Sequence, residues 1–431
     1  MTLAFAILLV LMLLLGAPLF AVILAATMLG FYSAEIDLTV ITAELYRIAN
    51  TPLLVALPLF TLAGYLLSES NTSERLLRLT RALFGWMPFG LAVISLLTCA
   101  AFTAFTGASG VTIIALGALL LPVLVKEGYD AKFSLGLVTT SGSLGLLLPP
   151  SVPLILYGVI VQQINIGEKF TLPELFMAGL LPTLLMIALL SVWALWANRH
   201  VELDKTEFNW AEAFAAIKAI AWELPLPLFI VGGIFGGYLA ISEVAAATAL
   251  YVLVVEMFVY REIRFANLTK VVTDAMQMLG GILLILGVSM AFTNYLIDAE
   301  VPMRLFDWVK AHIDSKISFL LLLNLFLLVL GAILDIFSAL VIVVPLIVPI
   351  AIGYGIHPIH LGIIFLANMQ IGYLTPPVGM NLFIASYRFN KSITELYKAT
   401  LPFMLMLLLA VFIITYVPWL STWFLPQLAS Q

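Results

Sequence analysis

Few residues of this sequence are equipped for chemistry, and those few cluster. Asp335 is the only acidic side chain read as lying deep in an apolar region. A carboxylate in such a place is costly and marks a functional position, unless its oxygen merely caps a helix start. Hydroxyls and amides gather in two groups. One holds Thr103, Thr106, Ser109, Thr112, Ser141, Ser143 and Ser151, and the other Asp335, Ser338, Asn368, Gln370, Thr375 and Asn381. Each group surrounds a Pro-Pro pair, Pro149-Pro150 or Pro376-Pro377. Proline lacks an N–H and disrupts the carbonyl pairing one turn earlier. In an apolar medium the freed carbonyls need protein, water or an ion. Small hard cations such as sodium take such oxygens, whereas the N-terminal ends of the half-helices suit a carboxylate. Isolated Ser and Thr more often bond back to their own helix, so the clustering carries the signal.

Other site chemistries lack their parts. Cys99 is the single cysteine, so no internal disulfide can form, and there is no CxxC, HExxH or Walker loop. Gly107-Ala108-Ser109-Gly110 fits a serine-protease pattern of membrane enzymes, but that chemistry needs an activating base at depth. His200, His312, His357 and His360 all fall in loops or at a segment edge. His357 and His360, with Pro358 between them, read as a loop and span entry, not a metal site. The sequence therefore reads as a non-enzyme without a cofactor, sodium serving only as a coupling ion.

The elements that must position these groups follow from composition. Of 431 residues, 63% are hydrophobic and 10% charged, with mean hydropathy +1.15. Soluble domains average about 45–50% and about 25%. A soluble enzyme, a disordered chain and a nucleic-acid binder are excluded. A ceiling of roughly 13 membrane segments follows from about 20 residues each. Complete crossings are predicted near 2–31, 51–68, 133–162, 174–198, 223–240, 243–260, 274–296, 360–387 and 400–424. The first is read as a retained span without a basic signal region, broken at Gly16-Ala17-Pro18. Runs 87–104 with 110–125, and 317–332 with 338–352, are short and pair into hairpins that stop halfway. An amphipathic helix near 199–222 lies along the membrane surface. With the Arg75, Arg78 and Arg81 loop placed in the cytoplasm, fourteen of the 19 Lys and Arg fall inside and five outside. This predicts a cytoplasmic N-terminus and a periplasmic C-terminus.

The two groups are related by a repeat. At one offset of 227, Pro122, Gly128, Gly145 and Pro149-Pro150 match Pro349, Gly355, Gly372 and Pro376-Pro377 without a gap. Each copy is a short hairpin followed by a span broken by Gly and Pro-Pro. The charge map puts the hairpins on opposite faces, so the repeat is inverted. Inverted repeats with interrupted helices point to a secondary transporter with a midplane site. An open channel would need a continuous polar lining, which the spans lack. The predicted fold is an all-α polytopic membrane protein. Its blocks are scaffold spans in 1–86, repeat one in 87–162, scaffold spans in 163–316, repeat two in 317–387 and a C-terminal span in 388–431.

These motifs, TGASGVT, SGSLGLLLPPSVPLILYG, LDIFSALVIVVPLIVPI and HPIHLGIIFLANMQIGYLTPPVGMNLF, resemble the large membrane (M, DctM-like) subunit of TRAP transporters, the tripartite ATP-independent periplasmic type. The resemblance covers essentially the whole chain. The first tip departs mildly, with Thr106, Gly107 and Ala108 where the family is often richer in serine. The resemblance implies an elevator-type carrier of the ion-transporter-superfamily kind, in the bacterial inner membrane. It implies sodium-coupled uptake of an organic acid, with dicarboxylates and sialic acid among the candidates. It implies two partners, a small four-helix membrane subunit and a periplasmic substrate-binding protein. Carried over, it puts sodium at Ser109, Ser141, Gly145 and Pro149, and at Asp335, Gly372, Thr375 and Pro376. Substrate falls near Thr106, Ser143, Ser151, Asn368 and Asn381. A stand-alone carrier of similar fold is the alternative.

Overall fold

The computed structural model describes residues 7–12, 15–86, 90–164, 166–199 and 208–425, and every regular element among them is helical. Residues 7–12 are helical, and the chain turns through Gly16 into Pro18, which starts α1 (Leu19–Ser33). The rest of the predicted 2–31 span, residues 1–6 and 13–14, lies outside the described residues. There follow α2 (Thr39–Ala49), α3 (Ala56–Glu69) and α4 (Thr72–Phe84). The first hairpin is α5 (Gly90–Thr106) and α6 (Ser109–Lys126). The first broken helix is α7 (Ala131–Ser141), a 3-10 turn Leu144–Leu147, and α8 (Val152–Ile164). Next come α9 (Leu172–Ala197), α10 (Trp210–Ala219), α11 (Pro225–Phe235), α12 (Ile241–Val254), α13 (Phe265–Asp298) and α14 (Val301–His312). The second hairpin is α15 (Lys316–Ile333) and α16 (Ile336–Gly353), and the second broken helix α17 (Pro358–Gly372) and α18 (Met380–Phe389). The chain ends in α19 (Ile393–Tyr416) and α20 (Trp419–Thr422).

By length and composition, eight described helical stretches could cross a membrane, three hairpin arms among them. Their tips nonetheless stop at the middle of the broken helices. A Cβ on Gly107, at the first tip, would meet Val152 just past the first break. At the second tip, the Ala332 carbonyl accepts from the Val378 and Gly379 amides at 3.1 and 3.4 Å. The hairpins enter from opposite ends. The first broken helix starts four residues after the base of hairpin one, and the loop leaving it sets Gly167 against Ile352 and Pro358 at the base of hairpin two. In the other direction, α18 runs along α6, with Ile384 against Gly110 and Phe389 against Gly117. The repeat is thus inverted in space. Both copies keep a positive-φ glycine after the second arm, Gly128 and Gly355, and a cis Pro-Pro bond.

The helices sort by packing. Both broken helices, both hairpins, α9 and α19 form one body, with α9 touching α5, α17 and α19, and α19 touching α7. The pairs α3–α12, α1–α13, α2–α13 and α3–α13 form a second group, which meets the first where α3 touches α5 and α13 touches α16. Helix α9, from the 163–316 block, buries Gly179 against the Leu147 carbonyl of the first break. Charge and hydropathy carry no record of which neighbour a helix chooses. Two amphipathic helices, α2 and α14, also escaped the hydropathy map. Within the predicted crossing 223–240 the helical part is α11, 11 residues and about 17 Å long. The surface helix is α10, tied to α4 by Arg78 and Glu212 at 2.7 Å.

A second acidic residue, not singled out in the sequence, is wholly buried: Glu256, in the π-turn Val255–Val259 at the end of its span. It faces Arg75 at 3.5 Å. Arg75 also pairs with Glu223 and, at 2.5 Å, with Glu262, and lies 3.9 Å over the Tyr260 ring. Burial opposes the charge on Arg75, but Glu223 and Glu262 outweigh it and raise its pKa. Burial likewise works to raise Glu262, but Arg75 and the Asn71 amide hold it below the usual carboxylate range. The cluster ties the α3–α4 corner to the entries of α11 and α13, and it lies at the span's end, where hydropathy averages hide it.

Candidate functional site

Each tip is seated on its break through backbone contact. Gly145 lies under α5, where a Cβ would overlap the Ala100 carbonyl and sit 2.5 Å from the Ala104 nitrogen. Its repeat mate Gly372 lies on Gly331 of α15, with Cα and carbonyl carbon 2.5 Å from the added Cβ. Only glycine lets the backbones approach this closely. Thr103 clips the first junction, its Oγ1 2.9 Å from the Gly142 carbonyl and 2.7 Å from Thr112 Oγ1. Tyr373 clips the second, its hydroxyl accepting from the Ile336 amide at 2.9 Å.

The residues singled out in the sequence separate into three settings. Some close the breaks internally. Ser141 bonds the Val138 carbonyl, Ser143 the Thr140 carbonyl, Ser151 the Leu146 carbonyl and Thr375 the Ile371 carbonyl. Pro149 and Pro376 head the cis pairs. Others join the repeats: Ser109 donates to Asn381 Oδ1 at 2.8 Å, tying the first tip to the second half of the other broken helix. The third setting is a cleft of about 490 Å³ lined by Gly107 through Val111, Asp335 through Ser338, Tyr373 and Met380, with Tyr65 and Met278 across from them. Tyr65 donates to the Met278 sulfur at 3.3 Å, bracing α3 to α13. Thr106, Ser143, Ser151, Asn368 and Asn381 do not line this cleft.

Asp335 caps α16. Its Oδ1 accepts from the Phe337 and Ser338 amides at 2.9 and 3.0 Å, and its Oδ2 from the Ser338 hydroxyl. The capping reading is therefore realised, and the half-buried carboxylate still faces the cleft. The facing helix α6 starts at Ser109 with no side-chain cap, leaving amide donors at its N-terminus. Among the described residues lining the cleft, none is Lys, Arg or His. Among the described residues, buried polar atoms without a protein partner include, near the breaks, the Thr106 and Thr140 hydroxyls, Asn368 Oδ1, both amide atoms of Gln370 and Asn381 Nδ2. Buried polar groups are normally paired, so these mark places suited to ions, water or cargo. A sequence reading passed over Tyr65, Met278 and Tyr373, whose types are ordinary in membrane helices and whose roles arise only across the cleft.

Paired hairpins meeting broken helices, around a cleft between two helical bodies, define a membrane transport protein built on an inverted repeat. The sequence matches the family described as "Tripartite ATP-independent periplasmic transporter, DctM component" over residues 5–420. The chain belongs to this family, the large permease subunits of TRAP transporters. It is 35% identical to the C4-dicarboxylate TRAP transporter large permease protein DctM of Vibrio cholerae, over 87% of this chain and 86% of that one. It is 27% identical to the ectoine TRAP transporter large permease protein TeaC of Halomonas elongata, over 97% of each. In fold it is similar to the YdaH transporter of Alcanivorax borkumensis, with TM-score 0.62 and 16% identity over 90% of this chain and 88% of that one. Family membership makes it a multi-pass inner-membrane permease, not an enzyme. It implies a tripartite system with a small membrane subunit and a periplasmic binding protein.

Proposed function

We propose that this chain drives sodium-coupled uptake of a small organic acid by an elevator movement. The body holding both hairpins, both broken helices, α9 and α19 slides against the body holding α1–α3 and α11–α13. One observation carries the reading: the two hairpin tips share a single cleft whose opposite wall, Tyr65 and Met278, belongs to the other body. Displacing one body past the other would move that cleft and its contents together. The uncapped start of α6 suits a cargo carboxylate. Asp335 and the carbonyls of the two breaks suit sodium. With no cationic side chain among the described residues of the cleft wall, co-bound sodium would offset the cargo's charge. The sodium ligand sets are those named from the sequence, with Gly145, Pro149, Gly372 and Pro376 acting through backbone. Relatives named for C4-dicarboxylates, isethionate and ectoine share carboxylate or sulfonate cargo, which is the class proposed here. A periplasmic partner would deliver it and a four-helix membrane subunit would flank the fixed body, with the N-terminus cytoplasmic.

The test is reconstitution with both partners in proteoliposomes, after thermal-shift screening identifies the acid retained by the binding partner. Accumulation should follow an inward sodium gradient. Uptake unchanged when potassium replaces sodium would refute the coupling.

A further inference from the structure

A polar thread runs through the second repeat and has no counterpart in the first. Asn368, on α17, is fully buried. Its Nδ2 donates to Asn324 Oδ1 on α15 at 2.6 Å and to the Ile364 carbonyl at 2.8 Å. Asn324 in turn pairs with the Thr415 hydroxyl on α19 at 3.1–3.2 Å. The Thr415 carbonyl lies 3.2 Å from His360 Nε2, and His360 Nδ1 lies 2.7 Å from Ser421 Oγ. A neutral imidazole satisfies both ends, donating from Nε2 and accepting at Nδ1. At the 227-residue offset, Asn324, His360 and Asn368 correspond to Leu97, Phe133 and Ser141. The first repeat follows the same backbone course with those residues, so the fold itself does not demand the thread.

The thread sets the polarity of Asn368. A side-chain amide offers two N–H donors and one carbonyl oxygen. Both donors are spent, on Asn324 and Ile364. The remaining group, Oδ1, is buried and has no partner among the described residues. An acceptor oxygen repels a carboxylate and attracts a cation. Asn368 lies one turn before Gly372, where hairpin two rests on its break. The geometry points to Asn368 Oδ1 as a ligand oxygen for the coupling cation at the second break, with Asn324, Thr415 and His360 as positioning residues that hold the amide in this orientation. This rests on the sodium reading above, and it moves Asn368 from the cargo's carboxylate to the cation.

The experiment titrates sodium chloride against choline chloride on the purified permease with its small subunit in nanodiscs, without cargo, and follows thermal unfolding. Asn368→Leu keeps the branched shape but has no oxygen to offer, while Asn324→Leu removes the anchor and copies Leu97 of the first repeat. Each should raise half-saturating sodium about tenfold, roughly the loss of one ligand interaction. His360→Gln keeps a donor toward the Thr415 carbonyl and should shift it about threefold or less. A purely structural role would lower the unfolding temperature at zero sodium and leave half-saturation alone. If sodium stabilises the parent complex and half-saturation is unchanged in Asn368→Leu and Asn324→Leu, the assignment is overturned. If sodium fails to stabilise the parent at all, the coupling reading fails first and takes this one with it.

Discussion

Replacing Gly145 or Gly372 by alanine tests the seating of the hairpins most directly. At both positions the added Cβ falls within 2.5 Å of hairpin backbone, the Ala104 nitrogen in one case and Gly331 carbons in the other. Carbon atoms pack best at about 3.5–4.0 Å, so each hairpin arm must retreat by about 1 Å. No side-chain rotation relieves the overlap, because backbone atoms are struck. Overpacking of this kind costs about 1–3 kcal/mol. The functional loss should be larger, since a retreat of about 1 Å carries the break carbonyls away from any ion they share with the tip. Uptake under a sodium gradient should fall by at least about tenfold. Gly232 supplies the internal control: a Cβ there meets nothing within 4 Å, and Gly232→Ala should be neutral or gain up to about 1 kcal/mol of helix stability. Thermal unfolding in detergent and proteoliposome uptake are read on all three. If Gly145→Ala unfolds at the parent's temperature and transports within about twofold of it, the close-packing argument is wrong.

Asp335→Ala should cost about 1–2 kcal/mol through the lost cap, and Asp335→Asn only a few tenths, while both raise half-saturating sodium; equal destabilisation in thermal unfolding would remove the capping role. Arg75→Met strands buried carboxylates and should destabilise by about 3–5 kcal/mol, with Glu256→Gln recovering part of the loss in the double variant. Burial holds His357 below the ordinary histidine range, with Glu168 opposing. The folded form then binds fewer protons than the unfolded one. Its stabilising contribution is full above the unfolded value and lost as pH falls through the depressed one. The parent should therefore lose more stability between about pH 7 and about pH 5 than His357→Asn, which keeps a cap at that position. Ser109→Ala should cost about 1 kcal/mol, and a double-mutant cycle with Asn381→Leu should show the two coupled.

The class of protein, the hairpins and the breaks were legible in the residues because each rests on local chemistry. Hydropathy over some 20 residues reports the medium, Pro-Pro reports a lost ladder, and the 227-residue echo reports a duplicated unit. The match of Gly145 with Gly372 pairs the two glycines on which the hairpins are seated. What the residues did not carry was partnership. That α9 and α19 pack on the breaks, that Ser109 meets Asn381 across 272 positions, and that Tyr65 faces both tips are long-range facts. Apolar helix surfaces are chemically alike, so many pairings satisfy the same hydropathy, and only close packing selects among them. The same limit explains Asn368. Its type and depth declared a polar site, but which of its atoms stays free is decided by Asn324 and Ile364, which reach it only in the folded chain.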